Sequence, residues 1–385
     1  MRRGLTLDQI AAARRTRGRA ALLYVTDRCP VGCAHCSVDA LPRGPRITDW
    51  PRFLQVLRLL CEEPALSVVG ISGGEPFTEP RALLTAARRL TAAGRHVVPY
   101  TSGNWAAPGP TPPWIREVLR LSSCVILSTD AYHAARLPPT AFVTAARATA
   151  AENTWLACQT LTPDESPAKA LLRRAFGPDW PSYAELTTVP LLPYGRAKSP
   201  DPHTEPHATR PPNAHRPPEG AGSAHPAPGY GALPEPPPAE RPGSAPPGPA
   251  TEASAPQPPT PAPSTHRPRE GAGSAHPAPG YGARPEPPLP GPVGPCVVAG
   301  TPVVRYDGRV AVCCNERVAA GGGPAGLHRS VDEPDVLGRL AGDAYLTVLG
   351  ALGAGPLLAL PGYRDLAAEG GDLCGVCWRM VARGT

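Results

Sequence analysis

The sequence predicts an α/β protein: a partial (βα)6 TIM-type barrel and a small cysteine-rich C-terminal domain, with a Pro-rich insertion between them. Three observations carry this. From Arg19 to Ala197, apolar runs of strand length alternate with stretches of helical period, as repeated βα units around a parallel sheet do. From Ser199 to Pro295 the chain is mostly Pro, Gly, Ala, Ser, Glu, Arg and His. Such a segment cannot bury enough apolar surface to offset the entropy of ordering. From Cys296 onward, short apolar segments carry five of the 11 cysteines. The expected boundaries are therefore an N-terminal extension over 1–18, a core over 19–198, a disordered insertion over 199–295 and a C-terminal domain over 296–385.

Within the core, Ala20–Val25 reads as a first buried strand. Phe53, Leu54, Leu57, Leu60 and Cys61 recur at helical spacing behind Thr48 as cap and Pro51 in the first turn. Leu66–Ser72 is a second strand, ending in Gly73-Gly74-Glu75-Pro76, and Leu83, Leu84, Ala87 and Leu90 mark a helix that closes near Gly94. His96–Thr101 is a third strand, Trp114–Leu121 a helix, Val125–Thr129 a fourth strand and Ala141–Ala151 a helix. Trp155–Leu161, Ala168–Ala175 and Glu185–Leu192 complete the series as strand, helix and strand. A closed eight-unit barrel usually needs about 250 residues, so this length suits a partial one.

The insertion contains a duplication: the segment opening at His215-Arg216-Pro217 returns at His266-Arg267-Pro268. Two low-complexity copies make a duplicated linker, extended and partly polyproline II, since a solenoid needs more units with apolar faces to stack. After it, Val297–Val298, Val303–Tyr306 and Val310–Cys313, with a turn at Asp307-Gly308, read as a short hairpin, and Val336–Leu352 offers helical material. A block this small gains from a bound metal.

Composition excludes several classes. The net charge is +6, but the only lysines are Lys169 and Lys198 and no compact basic stripe interleaved with aromatics exists, so nucleic acid is not an expected partner. No run of about 20 apolar residues spans a membrane. Arg2-Arg3 is not followed by the continuous apolar run of an export signal, which points to the cytoplasm. There, 11 cysteines point to metal rather than to a disulfide framework. Cys61, Cys124 and Cys158 stand alone in apolar surroundings and read as small buried hydrophobes.

Cys29-Pro-Val-Gly-Cys33-Ala-His-Cys36 places three thiolates on one loop. Iron–sulfur clusters want soft thiolates, and three at this spacing leave a fourth iron without a protein ligand. Zinc with His35 as fourth ligand is the alternative, although Cys-x3-Cys-x2-Cys is not a usual zinc-ribbon spacing. This loop resembles that of the radical S-adenosylmethionine (SAM) superfamily, which carries the same spacing after the first strand of a partial (βα)6 barrel. The resemblance implies a [4Fe-4S] cluster on Cys29, Cys33 and Cys36, with SAM chelating the open iron and being cleaved reductively to a 5′-deoxyadenosyl radical. Gly73-Gly74-Glu75 is similar to the family motif for the SAM amino group; the glycines would let backbone approach the ligand and Glu75 would accept hydrogen bonds from the cationic amine. Ser102, Asn104, Ser128 and Asp130, at the ends of strands three and four, would contact SAM or substrate; ordinary loop capping explains the same residues. Tyr132 and His133 are candidate substrate-facing acid–base groups. Pro193-Tyr194-Gly195-Arg196 resembles the segment after the sixth strand, with Arg196 meeting a carboxylate of SAM or substrate.

Cys296, Cys313, Cys374 and Cys377 resemble the opening of a SPASM or shorter twitch domain, an auxiliary-cluster module. The remaining SPASM cysteines are missing, so one further [4Fe-4S] cluster fits better than two. Cys314 is an alternative ligand, and a structural zinc on the same four thiolates stays open. The resemblance implies a reductant such as a ferredoxin or flavodoxin, and a peptide substrate to be matured. Dehydrogenation or epimerisation of a small metabolite such as an aminocyclitol or sugar is the alternative. A third reading is a non-catalytic iron–sulfur or zinc protein.

Overall fold

The computed structural model describes residues 4–106, 109–161, 165–189, 294–369 and 372–384. The Pro-rich insertion up to residue 293 and Arg196 with its neighbours lie outside the described residues. The first half alternates as the sequence predicts: α1 Leu7–Arg15, β1 Ala20–Tyr24, α2 Trp50–Glu62, β2 Val68–Ser72, α3 Pro80–Ala92, β3 His96–Thr101 and α4 Pro113–Leu121. Then follow β4 Cys124–Ser128, a single turn α5 Ala131–Ala134, α6 Pro139–Ala151, β5 Trp155–Thr160, α7 Ser166–Phe176 and β6 Ala184–Thr188. All six strands pair parallel in sequence order, with Ala20 opposite Val68 and Leu156 opposite Ala184.

One face of this sheet buries Leu23, Val69, Ile71, Val97, Val125 and Leu156 against the apolar stripes of the helices, such as Phe53 and Leu57 of α2 and Leu83 and Leu90 of α3. Phe53, Leu57, Leu83 and Leu90 are fully buried, and each such side chain contributes about 1.5–3 kcal/mol. The opposite face turns Ala20, Val68, Val98, Ile126, Trp155 and Ala157 onto α1, through Leu5 and Ile10. The segment expected as an extension is thus a plug in the core. In the sequence it reads as polar because Asp8, Gln9, Arg14 and Arg15 interrupt its apolar residues. A capping box between Thr6 and Gln9 starts the helix, and Glu185 of β6 receives both the Leu7 N–H and the Trp155 indole N–H.

The C-terminal block continues the same sheet. β7 Val303–Arg305 pairs parallel with β1, Leu22 opposite Val303, and β8 Arg309–Ala311 and β9 His328–Ser330 follow as an antiparallel meander. The full order is β6-β5-β4-β3-β2-β1-β7-β8-β9, an open sheet whose edges β6 and β9 do not meet, so the barrel is not closed. Gly308, with φ of +87°, makes the tight turn between β7 and β8. α8 Glu316–Ala319 lies between β8 and β9, and α9 Val336–Gly342, α10 Ala344–Leu352, α11 Gly355–Leu358, α12 Arg364–Ala368 and α13 Leu373–Gly384 complete the chain.

Several local expectations change. Asp49, not Thr48, caps α2, its carboxylate accepting the Arg52 N–H at 2.8 Å; an ionised acceptor is the better cap here. Val297–Val298 lies in a turn instead of a strand. The helical stretch 336–352 breaks at Asp343, which accepts from Leu346 N at 2.8 Å and so starts a new helix. Cys124 and Cys158 are buried as expected, whereas Cys61 is only partly so. No helix among the described residues is long and apolar enough to cross a membrane.

Candidate active site

At the C-terminal ends of the parallel strands lies a cavity of about 460 Å3, with Cys29, Cys33 and Cys36 in its wall. The loop that carries them leaves β1 at Val25 and is closed on itself: Leu41 N donates to Asp27 O at 3.3 Å and Cys29 N to Leu41 O at 3.1 Å. Between these ties Gly32 and Asp39 take positive φ, and Cys36 N donates to Cys33 O at 3.2 Å. Cys33 is buried, and burial pushes the Cys29 thiol up to about 11. A bound metal would have to displace that proton.

Gly73 and Gly74 brace this loop. Gly74 N donates to Thr26 O and Glu75 N to Arg28 O, both at 2.7 Å. A Cβ on Gly73 would stand 2.3 Å from Thr26 O, and one on Gly74 2.1 Å from Arg28 O, so only glycine permits the approach. Glu75 is buried and its carboxylate faces four donors: Thr101 Oγ1 at 2.8 Å, Ser102 N at 2.9 Å, Ser102 Oγ at 2.6 Å and Phe77 N at 3.3 Å. Burial pushes its carboxyl up while these donors pull against it. Glu75 thereby clasps β3 to the turn after β2.

Ser102 and Ser128 line the cavity, as do Gly73, Gly74 and Glu75. Asn104 stands behind Ser102, its N–H on Ser102 Oγ at 3.4 Å and its buried Oδ1 without a partner among the described residues. Asp130 caps α5, accepting from Tyr132 N at 2.8 Å and His133 N at 2.9 Å, and also holds His133 Nδ1 at 2.7 Å. His133 in turn bonds Cys33; burial lowers its pKa, but Asp130 and Cys33 outweigh that and raise it to about 10. His35 stacks on Tyr132 at 4.5 Å and lies edge-on to His133 at 5.1 Å. Asp130, expected at a ligand, thus sets a histidine against the buried cysteine.

A second network ties the cysteine loop to the C-terminal block. Arg305 of β7, 5% exposed, reaches Asp27 Oδ2 at 2.6 Å, and Tyr306 OH donates to the same oxygen at 2.8 Å. The sequence gives no sign of this pairing, because its partners stand 278 residues apart.

Cys296, Cys313, Cys374 and Cys377 converge on one small cavity with Leu346 and Trp378. Cys374 and Cys377 share a face of α13 by their spacing, and Cys296 is held by its N–H on Leu349 O at 2.9 Å. Asn315 Nδ2 donates to Cys374 Sγ at 3.4 Å and Tyr345 OH to Cys377 Sγ at 3.2 Å. Cys314 points the other way, into the large cavity, where Arg14 Nη2 meets its sulfur at 3.1 Å. Among the described residues, the only three potential ligands with donor atoms all within 4.8 Å of one another are His35, Asp130 and His133.

No family model and no curated protein matches the chain. Among solved structures it is similar to Streptococcus suis SuiB bound to S-adenosylmethionine, at 14% identity over 40% of this chain and 37% of that one, with a TM-score of 0.33. It is similar to anSMEcpe with bound AdoMet and Cp18Cys peptide, at 16% identity over 45% and 51%, TM-score 0.34. A third, BtrN in complex with AdoMet and 2-DOIA, aligns at 16% identity over 29% and 45%, TM-score 0.24. The chain spans between 37% and 51% of the length of these three structures.

Proposed function

We propose that the chain is a radical SAM enzyme. The observation that carries this reading is the convergence of Cys29, Cys33 and Cys36 on one cavity wall at the strand ends, braced by Gly73 and Gly74. The donor set fits a [4Fe-4S] cluster: three thiols of one short loop on one cavity wall, with no fourth cysteine in the loop. With SAM on the open iron, such a cluster supplies a 5′-deoxyadenosyl radical for hydrogen abstraction. The chain's own part is to bind, orient and exclude water. Asp130 and His133 fix the position of Cys33; Ser102 and Ser128 present hydroxyls to the bound ligand; Asn104 Oδ1 is an acceptor left open beside them.

Cys296, Cys313, Cys374 and Cys377 would hold a second cluster in this reading, with Asn315 donating to Cys374 Sγ and Tyr345 to Cys377 Sγ. Held by these four thiolates, such a cluster would have no iron open to substrate and would supply electron transfer. A cytoplasmic ferredoxin or flavodoxin supplies the first electron, and the substrate is a peptide. The three blocks 19–198, 199–295 and 296–385 act as core, linker and auxiliary-cluster segment, with Arg196 a further contact to a carboxylate.

The test is release of 5′-deoxyadenosine by anaerobically reconstituted protein given dithionite and SAM. Wild type should release it, and Cys33→Ala should lose release at least 100-fold while keeping the iron of the C-terminal site. Equal release by the two proteins would overturn the assignment.

A further inference from the structure

The wall of the large cavity away from the cysteine loop carries charge that the radical chemistry does not use. Arg14, at the end of α1, turns its guanidinium into the cavity, and Glu316, the first residue of α8, lines it as well. The backbone of Arg14 is fixed from the C-terminal block: a Cβ on Gly300 would stand 2.6 Å from Arg14 O, and Thr301 Oγ1 lies 3.5 Å from it. The guanidinium holds Cys314 Sγ at 3.1 Å. Burial alone would lower its pKa, but Tyr100, Cys314 and Glu316 raise it, so it stays charged in a largely desolvated place.

Glu316 is the complementary half. Burial pushes its carboxyl up to about 6, with its own backbone N–H and then Arg14 pulling it back. Yet no ion pair within 4.0 Å joins the two, and among the described residues no side chain hydrogen-bonds the Glu316 carboxylate. Two opposite charges therefore face one cavity, each partly stripped of water and not closed on the other. Desolvated charges are costly unless a partner of opposite sign completes them. Arg14 offers further N–H donors in a fork that fits a carboxylate, and Glu316 offers oxygens that fit an ammonium group.

We propose that Arg14 and Glu316 form the substrate subsite of this cavity, selecting a molecule that carries a carboxylate and an ammonium group together. Arg14 takes the carboxylate and Glu316 the ammonium. Tyr24, buried, and Tyr100, half-buried beside Arg14, line the same cavity. The chemistry is that of an α-amino-acid head or of the paired terminal charges of a short peptide. The inference rests on the cavity being the site of the radical reaction.

The experiment uses the full chain, reconstituted anaerobically and saturated with SAM so that the ligand's own amino acid end is not what is measured. Equilibrium binding is read for L-alanine, N-acetyl-L-alanine, L-alaninamide and tri-L-alanine. The expected result is that L-alanine or tri-alanine binds at least tenfold more tightly than both single-charge probes; which of the two it is tells a free amino acid from a peptide. Arg14→Gln should cost carboxylate-bearing probes about tenfold and leave L-alaninamide unchanged, and Glu316→Gln should do the reverse. The comparison of probes on wild type stands even where a variant fails to fold. Equal binding of zwitterion and single-charge probes, or binding by none, would overturn the proposal. Charge-dependent binding by a wild-type protein that releases no 5′-deoxyadenosine would instead overturn the radical SAM reading and leave the subsite standing.

Discussion

Glu75→Gln keeps the shape of the side chain that clasps β3 to the turn after β2 and changes only what its two terminal atoms can do. In the protein, Oε2 accepts from Ser102 N at 2.9 Å and Ser102 Oγ at 2.6 Å, while Oε1 accepts from Thr101 Oγ1 at 2.8 Å and Phe77 N at 3.3 Å. A glutamine must turn its NH2 toward one of these pairs. Facing Ser102, it sets two donors against each other, because the backbone N–H cannot rotate away. Facing Thr101, it meets a hydroxyl that already accepts from Gly103 N and Trp105 Nε1, both at 3.0 Å, and has no lone pair to spare. Either orientation leaves a buried donor unsatisfied, which costs about 1–3 kcal/mol. We expect a loss of about 2 kcal/mol in urea unfolding of the metal-free protein, and a fall in Tm of about 2–4 °C for each kcal/mol lost. An unchanged unfolding midpoint together with a tenfold loss of SAM affinity would refute the reasoning: Glu75 would then act on the ligand and not as an internal clasp.

Two further outcomes follow from the links between the blocks. Arg305→Gln removes the guanidinium from Asp27 and should cost about 1–2 kcal/mol, less than a fully buried pair because Asp27 is partly exposed; iron at the first site should fall while iron at the C-terminal site is kept, as read by separate spectroscopic signals. Cys313→Ala should remove the iron of the C-terminal site, whereas Cys314→Ala should retain it; loss of that iron from Cys314→Ala alone would reverse the assignment of the two neighbouring thiols.

The barrel was legible in the sequence because its strands are buried on both faces and so form apolar runs: His96–Thr101 is read to the residue. The cysteine loop was legible for a different reason, since its three cysteines are close in sequence. What stayed hidden depends on long-range placement. α1 reads as a polar extension until Leu5 and Ile10 are seen against Val98 and Trp155. β9, His328–Ser330, has no apolar alternation and exists because β8 offers it an edge. Arg14 meets Cys314 across 300 residues. Glu75 shows how a motif position can be found while its partners are not: the residue is where the spacing put it, but Thr101 and Ser102 hold its carboxylate.

The same physical logic separates the two cysteine sets. Cys29, Cys33 and Cys36 belong to a loop that faces the large cavity, while the C-terminal four face a small one built with Leu346 and Trp378. In the proposed reading the first arrangement would leave a position open for a ligand and the second would not.

The central claim is that SAM binds directly to the cluster held by Cys29, Cys33 and Cys36, and electron paramagnetic resonance of the reduced protein before and after SAM addition tests it most directly. The Cys374→Ala, Cys377→Ala double variant, which isolates the first site, should show a [4Fe-4S] signal whose g-values shift when SAM is added, with broadening when the SAM amino nitrogen and carboxylate are isotopically labelled. A signal that SAM leaves unchanged in both wild type and the double variant would contradict the account.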